Sequence, residues 1–230
     1  MPRAGSCTID PMTVPGRVDA ASLLLSLDPP AWFLRHARAV AEVAAWLAAR
    51  FAAAGRPVRR DVVEAAALLH DADKLLPAGD PARSLPHGDG SAAWVTRLGH
   101  EELAPAIAGH PVVRLASPGW AADWLVHAGP EERIVAYADK RAGQRLEPMA
   151  ARFDSWDLRY PGGWPGEIPG LARRNADQLE AEVCAAAGTK PDGVRRVPWT
   201  GHALRLARER AGYAVLLRDR SGSRPGAAAP

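Results

Sequence analysis

The stretch AWFLRHARAVAEVAAWLAARFAAAG (31–55) constrains the fold most. Phe33, His36, Val40, Val43 and Leu47 step by three and four residues, which sets them on one face of an α-helix. The run is far too long for a buried strand, and Gly55 is placed to stop it. A helix with that much apolar surface needs other helices or a sheet to cover it.

The rest of the chain offers helices. DAASLLLSL (19–27) has Asp19 as N-cap and Pro29-Pro30 as a stop. DVVEAAALLHDADKLL (61–76) opens with Asp61 and Glu64 at the spacing of a capping box. GDPARSLPHGDG (79–90) is turn-rich, and SAAWVTRLG and HEELAPAIAGH (91–110) give two short helices. AADWLVHAG follows a Pro/Gly loop, and EERIVAYADKRAGQRLEPMAARF (131–153) reads as a second long helix bent at Pro148. LARRNADQLEAEVCAAAG, ended by Gly188, and TGHALRLARERAG complete the set. YAVLLRD (213–219) fits a short strand or a helix end equally well. No segment alternates over a convincing length, so the expected class is all-α: a helical bundle with a small, mostly helical C-terminal extension.

At 230 residues the chain can bury one substantial core plus an appendage. The expected organisation is a flexible start (1–17), a helical domain (18–158), a Pro/Gly linker (159–170), an extension of unassigned role (171–219) and a disordered tail (220–230). Leu171, Leu179, Val183 and Cys184 need burial against the core, a second copy in a homodimer, or another partner. No apolar run reaches the roughly 20 residues of a membrane helix, and MPRAGSCTIDPMTVPGR lacks the apolar centre of a secretory signal. Cys7 and Cys184 have no paired spacing, which fits a reduced, cytoplasmic protein. The net charge of +3 suits a small anionic ligand at least as well as nucleic acid, whose binders cluster basic residues on one face, and nucleic acid is not the expected partner. Only three residues are lysine, and Lys74 and Lys140 follow the acidic positions singled out next.

Polar residues on inward faces carry the functional signal. His36 lies among apolar neighbours in the first long helix. His70 shares a face with Val63 and Ala66 or Ala67, and Asp71 lies about 100° round from it. His110 shares a face with Leu103 and Ile107. Asp139 is the one acid in the stripe Val135, Ala142, Leu146, Met149 and Phe153. A single buried histidine can sit neutral against a backbone carbonyl, and Lys140 or Arg141 can pair with Asp139. An unpaired buried carboxylate costs several kcal/mol. Four inward groups of metal-ligand type on four helices point instead to a metal gathered in a bundle core.

RHARAVAEVA, AALLHDADK and IVAYADKRAG occur in the order and spacing of three blocks that define a known family. Over about 31–155 the chain resembles the HD superfamily of metal-dependent phosphohydrolases. The resemblance implies an HD-type bundle in which His36, His70, Asp71 and Asp139 hold a divalent metal. Many relatives add two histidines for a second ion; LPHGDGSAAWV offers His87 and LAPAIAGH offers His110, with the His87 match only partial. One or two ions are implied, with Fe, Mn, Zn, Ni, Co and Mg all open. His100, His127 and His202 receive no role.

The implied activity is hydrolysis of a phosphomonoester, phosphodiester or phosphoanhydride bond of a small nucleotide by metal-activated water. His70, Asp71 and Lys74 are the expected catalytic groups, with Lys74, Arg141 and Arg145 on phosphate oxygens. Asp73 can orient an imidazole or a water, or face solvent. The tryptophans Trp32, Trp46, Trp94, Trp120, Trp124 and Trp156 read mainly as core. Alternatives are a di-iron oxygenase on the same scaffold and a nucleotide- or partner-binding module with a structural metal.

Overall fold

The computed structural model describes residues 14–161 and 170–222. The beginning of the expected flexible start, most of the Pro/Gly linker and the end of the tail lie outside the described residues. Among those described there is no strand, only an isolated bridge between Ala142 and Leu146, and the fold is all-α. No helix is long and apolar enough to cross a membrane among the described residues.

The long helix α2 (Ala31–Ala53) is the axis of the bundle. Its residues Ala39–Ala45 are all buried, so this helix is covered on every side rather than along one stripe. Small side chains allow that, because alanines let neighbouring helices approach closely. Helix α3 (Arg60–Leu69) and helix α8 (Pro130–Arg141) lie against α2. Helix α1 (Arg17–Leu25) lies on α3 and on the C-terminal helix α11 (Thr200–Gly222). Helices α4 (Asp89–Arg97) and α5 (Ala104–Ala108) pair and join α3 and α8. The short α6 (Val112–Leu115) and α7 (Pro118–His127) lead into α8, and α9 (Met149–Arg159) follows it.

Three expected elements differ. The helix expected over 61–76 ends at Leu69. Asp71, with φ −101° and ψ 11°, has left the helical region, and a 3-10 turn follows at Ala72–Lys74. The capping box is absent: Arg59 is the N-cap, while Glu64 takes a two-pronged pair from Arg17 at 2.6 Å on each arm. The single helix expected over 131–153 is two. α8 stops at Arg141, Ala142 is extended, and α9 begins after Pro148. Gly143 is a weak helix former, and Pro148 removes an N–H and clashes with the carbonyl four residues back. Asp19 lies in the first turn of α1 rather than capping it; Gly16 is the N-cap.

The C-terminal region lies on the bundle. Helix α10 (Leu171–Ala186) buries Leu179, Val183 and Cys184 against α6, α7 and α8. Glu42, buried in α2, is held by Arg196 Nη2 at 2.7 Å and by the Thr200 hydroxyl, and its carbonyl accepts from Val197 N at 3.0 Å. The YAVLLRD backbone is helical, within α11.

Candidate metal centre

Four imidazoles and two carboxylates from separate elements meet at one place. His36 comes from α2, His70 from the C-terminal cap of α3, Asp71 from the residue after it, and Asp139 from α8. His110 follows α5, and His87 precedes α4 in the loop. The described residues therefore bring together every histidine and aspartate expected as a metal ligand.

Each ring has its Nδ1 engaged. His36 Nδ1 donates to Gly143 O at 2.7 Å, His70 Nδ1 to Ala67 O at 2.8 Å, and His110 Nδ1 to Ile107 O at 2.6 Å. His87 Nδ1 donates to Asp73 Oδ2 at 2.9 Å. An oxygen acceptor at Nδ1 puts the proton there, so in each neutral ring Nε2 is a bare lone pair. Those lone pairs face one another: His36 Nε2 and His70 Nε2 are 3.2 Å apart, and so are His87 Nε2 and His110 Nε2.

Asp71 stands between the two histidine pairs. Its Oδ2 lies 3.4 Å from His36 Nε2 and 3.6 Å from His70 Nε2, while Oδ1 lies 3.3 Å from His87 Nε2 and 3.4 Å from His110 Nε2. Asp139 Oδ1 joins the first pair, at 3.4 Å from His36 and 3.7 Å from His70. Six acceptor side chains thus converge in a largely buried space. Such an assembly repels itself unless positive charge lies within it. Rings whose other nitrogen donates to a carbonyl or carboxylate are the usual form of metal-bound histidine. The donor set fits a divalent cation.

Without a cation, protons supply the positive charge. Burial opposes charging His36, but Asp139 and Asp71 outweigh it and push the ring up to about 10. His87 rises to about 9 because the Asp71 and Asp73 carboxylates overcome its burial. Burial drives His110 down to about 4 despite Asp71. Burial pushes Asp71 and Asp139 upward, yet the histidines around them hold both well below the usual carboxylate range.

Backbone form makes these positions possible. A Cβ on Gly143, whose carbonyl holds His36, would displace only the flexible end of Glu147. A Cβ on Gly90 would lie 2.5 Å from Ala82 O and 2.9 Å from Asp73 Cβ, so only glycine lets α4 start this close to the 3-10 turn. Asp73 also accepts from Gly88 N at 2.9 Å. With its oxygen turned to His87 Nδ1, Asp73 orients that ring, although Asp71, Asp73 and His87 also stand close enough to form a ligand triplet. Lys140 is wholly buried; Nζ donates to His110 O at 2.7 Å and Ala136 O at 3.1 Å, and burial lowers it to about 8.

The expected phosphate contacts divide. Lys74, 45% exposed, donates to Asp71 Oδ2 at 2.7 Å and lines a cavity of about 570 Å³ above the cluster. Arg141 differs from the expected phosphate contact: its guanidinium is buried on Tyr137 Oη, Pro191 O and Glu147 O, facing α10 and not the cavity. Arg145 is exposed in the α8–α9 turn and does not line the cavity. Arg152 and Trp32, which do line it, carry no motif that marks them in the sequence. Trp32 is 51% exposed, unlike buried Trp94, Trp124 and Trp156.

No curated protein and no solved structure matches the chain. The family model described as HD domain matches residues 33–143, a span that contains all six converging side chains. By that match residues 33–143 are an HD domain.

Proposed function

We propose that this protein is a metal-dependent phosphohydrolase acting on a nucleotide, with two cation positions that share Asp71. The observation that carries the reading is the division of the Asp71 oxygens. Oδ2 turns to His36 and His70, and Oδ1 turns to His87 and His110. Asp139 completes the first position. Imidazole-rich mixed sets suit Fe, Mn, Zn, Ni or Co better than Mg, which prefers oxygen throughout.

Divalent cations held there would supply Lewis acidity to a phosphoryl oxygen and make a water acidic enough to attack at neutral pH. The chain does the rest. Asp73 and the carbonyls of Gly143, Ala67 and Ile107 keep the four Nε2 atoms aimed inward. Lys74 stands at the mouth on Asp71, where its ammonium can meet a phosphate oxygen. Asp71 accepts protons poorly, which keeps it anionic while a phosphate approaches. A cavity of about 570 Å³ takes a molecule of nucleotide size, within the ~300–1,000 Å³ of ordinary ligand sites.

The test is elemental analysis of the purified chain, followed by phosphate or nucleotide release from a nucleotide panel with Mn, under air and without oxygen. Release without oxygen supports the hydrolase. Turnover only with oxygen would establish the oxygenase alternative, and bound metal without turnover would favour the binding module.

A further inference from the structure

The cavity over the cluster has a second wall. Helix α9 turns Arg152, Ser155, Trp156 and Arg159 toward it, at the i, i+3, i+4 and i+7 spacing of one helix face. The acids of α9 lie elsewhere: Asp154 and Asp157 are exposed and pair with Arg173 of α10, at 3.1 and 3.3 Å. The face toward the cavity is therefore cationic, and Lys74 supplies another cation from the side of the cluster.

Arg152 is built in rather than splayed on the surface. Its side chain is only 13% exposed, and its guanidinium lies on the Trp156 ring at 4.7 Å. Its Nη1 stands beside Gly143, the residue whose carbonyl holds His36. Its Nε is enclosed and forms only a long ion pair with Glu147 Oε1, at 3.9 Å, with no hydrogen bond. Arg152 also lines the cavity, where the planar fork of its guanidinium suits a phosphate.

We infer that the Arg152 face of α9 binds a second phosphate of the substrate, so that the substrate is a nucleotide carrying a phosphate beyond the one attacked at the metal centre. This rests on the hydrolase reading for the first phosphate only. Trp156 beneath the guanidinium fixes its plane, Ser155 adds a hydroxyl, and Arg159 adds charge at the exposed end.

Calorimetry on the full chain tests this with and without Mn, using AMP against ADP and adenosine 3′,5′-bisphosphate. One of the two bisphosphorylated probes should bind at least about tenfold tighter than AMP, the scale of a charge-assisted contact. Arg152→Gln should remove that preference and change AMP affinity less than about twofold, and Arg152→Lys should restore part of it. A melting curve for each variant shows that the fold is retained. Equal binding of all three probes overturns the inference, as does an Arg152→Gln variant that weakens all three alike. Metal-dependent turnover is scored separately. No preference in the unmodified chain with turnover intact removes only this subsite, while a preference without turnover removes only the hydrolase reading.

Discussion

His36 Nδ1 lies 2.7 Å from the carbonyl oxygen of Gly143, which is 107 residues further along the chain. That bond fixes the ring so that its other nitrogen faces His70, Asp71 and Asp139. Gly143→Ala puts a methyl group where the Glu147 carboxylate lies, and that flexible side chain can swing aside without moving the carbonyl. Metal affinity should therefore change less than about twofold, well short of the ~10–100-fold cost of disturbing the group behind a metal-bound imidazole. Titration with Mn by calorimetry, alongside an unchanged helical circular dichroism spectrum, checks this.

The shared carboxylate predicts unequal losses. If two positions share Asp71, as proposed, His36→Ala should cost one ion per chain of roughly two, His110→Ala the other, and Asp71→Ala both, because each position would draw on a different set of ligands. Metal-to-protein ratios by elemental analysis read the result directly. Equal loss in all three variants would mean a single position.

Asp73→Asn keeps the shape but weakens the acceptor for His87 Nδ1. The ion on the His87 side should bind about 10–100-fold more weakly, with the His36 side unaffected. Stepwise removal with a chelator separates the two.

Proton linkage gives a pH prediction for the metal-free protein. His36 and His87 have folded-state values raised above 6.5, to about 10 and about 9. Their contribution to stability is full below pH 6.5 and is lost as pH rises through 9 to 10. Asp71 and Asp139 are lowered, so their contribution is present above about pH 4 and is lost as pH falls below it. His110, lowered to about 4, works against the raised histidines as pH falls from 6.5. The melting temperature with chelator should therefore decline from pH 7 to 10. With Mn it should hold or rise over that range, because the metal replaces the protons.

Arg196→Ala leaves Glu42 buried with only Thr200 as a partner. Partial exposure of Arg196 moderates the loss, which should be about 1–3 kcal/mol. Urea unfolding measures it, and metal content should not change.

The helices were legible where apolar periodicity was long, as at Phe33 to Leu47. The inward direction of His36, His70 and His110 followed from the same spacing. Termination was harder to read. Periodicity carries through Asp71 and through Gly143 to Pro148, although the chain turns at both places; those turns depend on what the backbone carbonyls and glycines must meet in three dimensions. Arg141 looked like a phosphate ligand because of its charge, but its partners Tyr137, Glu147 and Pro191 include residues brought to it only by folding. Nothing in the sequence marks Arg152, because the continuous helix expected there gives it no cavity to face.

Helix α8 grips in two directions. Tyr137 and Arg141 fasten it to Glu180 of α10, while Asp139 meets His36 and His70, and Lys140 ties down the main chain at His110. A segment that contributes no ligand thus governs how accurately the ligands are aimed. Loosening α10 would detune both halves of the cluster together, much as slackening one mount misaligns every mirror on a shared rail.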